Sequence, residues 1–288
     1  MSHTSSTATG HRWSRRGRIT ATAVVVLAVV TGALVARDDA TAASSSRTAY
    51  GAAVTLGEGT ARSYVVVTDG APTEIGVALS ERSLSGLPAG HAGAEPHAMM
   101  HEYVLSLPSE ASATSFRFVL LNWNPMGHEP DGVYTVPHFD FHFYTIPVEQ
   151  RNAIVPTDSQ WAAKAAKLPE AAYTPPGYLA ASVLMGAPAE VAAVPMMGMH
   201  WLDPKSEELH GKPFQKTFIY GSWDGKLIFA EPMITKAYLE TKQDFSAPLA
   251  VPPRSADAGL RATAQRIYWN QATSEYRVAL TNLTAPTP

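Results

Sequence analysis

Not one cysteine occurs in the 288 residues of this chain. Disulfide bridges, thiolate metal sites, a cysteine nucleophile and a thioether lipid anchor are all excluded, so stability has to come from a packed core. Charge is scarce as well: 16% of residues are Asp, Glu, Lys or Arg, against 45% hydrophobic. Beyond residue 42 there is no basic run, and 17 basic residues stand against 23 acidic ones, a net charge of −6. Nucleic-acid binding therefore lacks its electrostatic footprint. No Gly-x-Ser-x-Gly elbow, phosphate-binding loop or dinucleotide fingerprint is present, which removes the signatures of the common serine hydrolases, nucleotide hydrolases and dinucleotide enzymes.

Long apolar stretches are also missing after residue 42. The one such stretch, residues 19–36, follows a basic head of Arg12, Arg15, Arg16 and Arg18 and precedes the small-residue site Ala40-Thr41-Ala42. Residues 1–42 read as an export signal, which sends the protein to the cell envelope or beyond it. The general secretory route fits better than the twin-arginine route, because Arg18 stands where twin-arginine signals prefer an apolar residue. Retention of the stretch as a membrane anchor is the alternative to cleavage.

Residues 43–60, small and polar, read as a flexible leader, with one mainly β domain over residues 61–283. β-Branched and aromatic runs at 63–68, 73–79, 103–107, 116–123, 137–144 and 197–202 predict strands, as do the runs at 214–220, 226–231, 265–270 and 275–281. Asp69-Gly70 and the turn before Gly225 mark hairpins. Helical spacing is confined to short pieces at 80–84, 148–154, 159–167 and 234–241, while five prolines between 168 and 195 predict a wandering surface segment. The expected fold is antiparallel sheets with few short helices, closed into a barrel-like or sandwich core.

What is present in strength is histidine. In Pro-His-Phe-Asp-Phe-His-Phe-Tyr, residues 137–144, strand alternation places His138, Asp140 and His142 on one face and Phe139, Phe141 and Phe143 on the other. His128 comes from the loop before this strand and His200 from the later strand. Without thiolate, neutral imidazole and carboxylate suit divalent transition metals, with zinc first and copper, iron or manganese as alternatives. The predicted site is mononuclear, built from His138, His142 and one or both of His128 and His200. Asp140 or Glu129 supplies the carboxylate, and Glu129 is the candidate catalytic base. His91, His97, His101 and His210 read as solvated or capping residues. The methionines beside the histidines, including Met126, Met197 and Met199, read as core fillers more readily than as copper ligands.

Four strings taken together, Leu-Asn-Trp-Asn-Pro-Met-Gly-His-Glu-Pro at 121–130, the strand at 137–144, Met-Gly-Met-His-Trp-Leu-Asp-Pro at 197–204 and Phe-Ile-Tyr-Gly with Glu-Pro-Met-Ile-Thr at 218–235, resemble the TTHB-type family of exported bacterial domains of unknown function. The resemblance runs from about residue 61 to about residue 283. It implies one mainly β domain, export and self-association into a homo-oligomer, and its histidine motifs fall on His128, Glu129, His138, Asp140, His142 and His200. It implies no reaction.

Two functional readings follow. The first is an exported metal-dependent hydrolase or lyase acting on a small-molecule substrate at an open coordination position. The second is a non-enzymatic envelope or stress protein whose metal is structural or stored.

Overall fold

A computed structural model describes residues 44–90 and 99–286. Residues 1–42, where an export signal is expected, and His91 and His97 lie outside the described residues. From Ala43 onward the chain forms one compact unit.

Among the described residues fourteen strands make two antiparallel sheets. In chain order they are β1 (Ser46–Tyr50), β2 (Val54–Leu56), β3 (Gly59–Thr68), β4 (Ala71–Ser80), β5 (His101–Ser106), β6 (Phe118–Asn124) and β7 (His138–Tyr144). There follow β8 (Leu179–Ala180), β9 (Met199–Leu202), β10 (Lys216–Trp223), β11 (Lys226–Thr235), β12 (Phe245–Pro248), β13 (Arg261–Asn270) and β14 (Glu275–Thr284). The first sheet runs β1-β3-β4-β14-β13-β12 with β2 beside β3, and the second runs β5-β6-β7-β11-β10-β9-β8. Two of the consecutive hairpins, β3–β4 and β10–β11, are set by local chemistry. Asp69-Gly70 and Asp224-Gly225 both hold two positive φ angles, 51° and 82° in the first and 48° and 81° in the second, as the two-residue turns that match strand twist require.

The arrangement is a sandwich and not a closed barrel. Phe139, Phe141 and Phe143, fully buried, join Val119, Leu121 and Leu105 of their own sheet in a single apolar cluster that also takes in Val65, Ile75, Val77 and Val278 of the other. Each buried Phe contributes about 2 kcal/mol by leaving water, so the odd-numbered face of β7 alone commits the strand to the core. The other face of this sheet is buried too. It is covered by the loop 125–137 and by residues 148–198, which carry the short helices α1 (Val148–Asn152), α2 (Trp161–Ala166), α3 (Ala181–Met185) and α4 (Ala189–Ala192). The Tyr144 hydroxyl donates to the Met196 carbonyl at 3.1 Å and Trp161 packs on Trp223 with ring centroids 5.0 Å apart. Among the described residues no helix is long and apolar enough to cross a membrane.

Two expectations are corrected, and one strand lies where none was expected. Residues 43–60 are not a flexible leader: Ser46–Tyr50 pair with Tyr64–Thr68 of β3. An edge strand is held by backbone hydrogen bonds, to which a small, polar side-chain composition is indifferent. The strand β12, hidden in a proline-rich stretch, is an edge strand with its proline last, the position a strand tolerates. The helix expected from 234 begins later, as α5 (Lys236–Glu240), because Ile234 and Thr235 still belong to β11 and Thr235 caps the helix by accepting from Tyr238 N at 3.1 Å.

The outer face of the first sheet carries a buried ion cluster. Glu275 accepts from Arg62 at 2.7 Å and from Arg277 at 2.9 Å, and Arg277 also donates to the Tyr50 hydroxyl at 2.6 Å. Burial would raise the Glu275 carboxyl, but the two guanidiniums outweigh it and hold it below the ordinary range. A depressed carboxyl stabilises the fold above its unfolded pKa, and that stability fades as pH falls through the folded pKa. Melting temperature should therefore decline from pH 5 to pH 3. Glu275→Gln should flatten that decline and cost about 3 kcal/mol at pH 7 by leaving Arg277 buried beside a neutral partner, as read by urea denaturation.

Candidate metal centre

The even-numbered face of β7 carries His138, Asp140 and His142, of which none is more than 2% exposed. The neighbouring strands decide what meets them. On β6, Asn124 lies opposite His138 and Asn122 opposite Asp140, so two amides share this face. On β11, Ala230 pairs with Phe143 and Met233 with Asp140, while Glu231 and Pro232 drop out of the ladder. Proline has no N–H to offer at that point. The register on either side places Glu231 against His142, and Glu231 is 2% exposed. Beyond it, His200 of β9 pairs with Gly221 of β10, which pairs with Phe229 of β11. A Cβ at Gly221 would lie 2.0 Å from the Phe229 ring. Glycine there lets that ring lie flat over β10, within 5.6 Å of the His200 ring and 4.8 Å of the His142 ring, centroid to centroid.

Among the described residues the donors gather into two groups, His128 with His138 and Asp140, and His142 with His200 and Glu231, the ligand atoms of each lying within 4.8 Å of one another. The expected convergence of His138 and His142 on one ion is thus corrected. Four residues along a strand span about 13 Å, too far for two imidazoles to reach one metal through bonds of about 2 Å. Each histidine instead recruits partners from adjacent elements.

In the first group His138 Nε2 lies 3.2 Å from Asp140 Oδ1, and His128 Nε2 lies 3.6 Å from Asp140 Oδ2. The Nδ1 atoms of both rings face backbone carbonyls at 2.7 Å, Val136 for His138 and Glu129 for His128. A ring that donates through Nδ1 keeps a lone pair on Nε2, the orientation seen in metal-binding histidines. Asn124 Nδ2 donates to Asp140 Oδ2 at 2.7 Å, which steadies the carboxylate. In the second group His142 Nε2 is 3.3 Å and His200 Nε2 3.9 Å from Glu231 Oε2.

These separations are close to hydrogen-bond lengths, yet His138 Nε2, Asp140 Oδ1, His142 Nε2 and Glu231 Oε2 are all buried without a hydrogen bond. Their directions do not point along the lines joining them. Donors arranged tetrahedrally about an ion with bonds of about 2.1 Å are themselves about 3.4 Å apart, and the imidazole-to-carboxylate separations of 3.2–3.9 Å lie around that value. Burial lowers the His142 imidazole to about 3, so it stands neutral, with a lone pair on one ring nitrogen. Burial and the negative charge of Asp140 push Glu231 well above the carboxylate range. Asp140 itself is held well below it, because His138 and His128 outweigh its burial.

Of the six residues singled out from the sequence, His128, His138, Asp140, His142 and His200 enter these groups. Glu129 enters neither: its side chain is exposed, and its carbonyl oxygen faces His128. Glu231 was not anticipated. Its signal is a lone acid inside the apolar run Ile-Phe-Ala-Glu-Pro-Met-Ile, and the Asn-Trp-Asn alternation on β6 is a similar sign. His210 Nε2 donates to the Pro204 carbonyl oxygen at 2.9 Å, as a capping residue does. Met197 and Met199 are core, 7% and 1% exposed.

Comparison with known proteins adds one finding. No curated protein and no solved structure matches the chain. The family model described as TTHB210-like, hypothetical protein TTHB210, matches from the end of β3 to Trp123 of β6, so His128, His138, His142 and His200 lie beyond the match. Over residues 67–123 the chain is similar to the TTHB210-like family, whose members have no assigned function.

Proposed function

We propose that this is an exported metal-binding protein that holds divalent transition metal, zinc in the first place, at His128–His138–Asp140 and at His142–His200–Glu231. The observation that carries the reading is that His138 Nε2 with Asp140 Oδ1, and His142 Nε2 with Glu231 Oε2, are buried without hydrogen bonds at 3.2 and 3.3 Å, a spacing that suits ligands of one ion. A buried polar atom left unpaired costs about 1–3 kcal/mol, and a shared cation at each group satisfies several such atoms at once. The donor set of nitrogen and oxygen suits zinc, iron, manganese or copper(II), and the core placement of Met197 and Met199 speaks against a sulfur-rich copper(I) site. Export is supported by the basic head and apolar stretch of residues 12–42.

A second reading, metal-assisted hydrolysis or lyase chemistry on a small substrate, is favoured by donor number. Each group offers three protein ligands, and each includes one partly exposed histidine, His128 at 18% and His200 at 16%. Three ligands leave a fourth position for water, whose pKa a bound zinc lowers toward neutrality. Glu129, adjacent to His128 in the chain, is then the candidate base.

Elemental analysis of protein made without an affinity tag should find metal retained. His138→Ala and His142→Ala should each lose the metal of one group, and unchanged content in both would overturn the proposal. Stripping with a chelator should lower the melting temperature, and readdition to a hundredfold excess over Kd should restore about 2.7 kcal/mol; a melt indifferent to metal removes the link between site and fold. For the second reading, Glu129→Gln should slow turnover of small ester substrates at least tenfold with metal content unchanged. Equal turnover would take Glu129 out of the mechanism.

A further inference from the structure

The two groups are not independent in space. Asp140 and His142 are two residues apart on one face of β7, and Glu231, set against His142, is the diagonal neighbour of Asp140. Diagonal pairs of this kind are within reach of long side chains. Between the groups stands Asn122. It is fully buried and lies opposite Asp140, and its diagonal neighbours across the ladder are His138 and His142. Neither its amide nitrogen nor its amide oxygen has a hydrogen-bond partner. Its neighbour Asn124, on the same face, is committed to Asp140. An amide is costly to bury with all of its bonding capacity unused, and this one sits where the two groups meet.

Charge supplies the second line. Two divalent cations set against the two carboxylates Asp140 and Glu231, with four neutral imidazoles, leave two positive charges in a buried site. Charge buried without a partner is strongly unfavourable, so a loaded pair calls for an anion. Spacing limits its size. A two-residue step along a strand is about 6.6 Å, longer than the roughly 3.5–4 Å between ions that share one bridging oxygen. A polyatomic anion that places a different oxygen on each ion suits this spacing better than hydroxide. A tetrahedral dianion also balances the charge, and its remaining oxygens are free to accept from an amide N–H.

We infer that the two groups form one paired metal centre that binds a tetrahedral oxyanion of the phosphate or phosphomonoester class between its ions, with Asn122 Nδ2 donating to the anion. This inference rests on the metal-binding reading above. The partly exposed His128 and His200 mark the side from which the anion enters.

The test uses the full exported protein, with zinc and inorganic phosphate as probes in calorimetric titrations. Expected are two zinc per chain, phosphate binding to the doubly loaded protein, and none to metal-free protein or to His142→Ala, which keeps the other group. Asn122→Leu should retain both zinc ions and bind phosphate at least about tenfold more weakly, the loss of one hydrogen bond to a charged group. Should that variant fail to fold, Asn122→Asp serves, since a carboxylate in place of the amide repels the anion and should weaken it by as much or more. Phosphate binding unchanged in the Asn122 variant that folds, or equal binding by His142→Ala, overturns the inference. One zinc per chain overturns it while leaving metal binding intact, and no zinc overturns both. Phenyl phosphate that competes with inorganic phosphate assigns the ester class; failure to compete restricts the site to the free ion, and either result supports the anion site.

Discussion

Imidazole nitrogens and carboxylate oxygens held face to face in a dry sheet, at 3.2 and 3.3 Å and with no hydrogen bond between them, set the terms for the second half of this fold. Lone pairs so placed repel one another unless something positive stands among them. The apolar side of the same strand pulls the other way, since three fully buried phenylalanines hold β7 at the centre of its sheet. The strand is therefore anchored by one face while the other faces a concentration of donors that the core alone does not explain. The loop 125–137, the helical segment 148–198 and the late strand β9 cover that second face and bring His128 and His200 to its rim.

Electrostatics within the donor sector separates two acids of similar chemistry. Asp140 lies between two imidazoles and under an amide donor and is held ionised. Glu231 is buried with the charge of Asp140 nearby, and is pushed toward its neutral form. One carboxylate is thus held toward its charged form and the other toward its neutral form. Across the sandwich, Glu275 shows the opposite solution: guanidiniums from Arg62 and Arg277 supply the positive charge permanently, and that cluster needs nothing from outside.

The sequence was legible where periodicity and chemistry coincide. Alternation in residues 137–144 gave both the strand and its two faces, and the Asp-Gly turns gave the hairpins, because each rests on local geometry. Residues 46–56 were illegible because an edge strand is chosen by its partner's free backbone and not by its own side chains. The division of the histidines between two groups follows from strand rise, yet which residues complete each group depends on lateral neighbours far away in the chain. Glu231 reaches His142 only through the β7–β11 register, and His200 reaches Glu231 only across Gly221. Such lateral pairings are set by the packing of whole sheets, and a single strand carries no record of them.

The two groups are mounted differently. His142, Glu231 and His200 all project from strands, so their positions are fixed by ladders before any ligand arrives. His128 rides on a loop that turns at Gly127, with φ of 74° and room for no Cβ beneath the Tyr134 carbonyl. A trio preset by its sheet binds without ordering any chain, whereas the trio that includes a loop residue must hold that loop in place as it closes. On the metal-binding reading proposed above, the sheet-borne position is the first to fill and the loop-borne one the second.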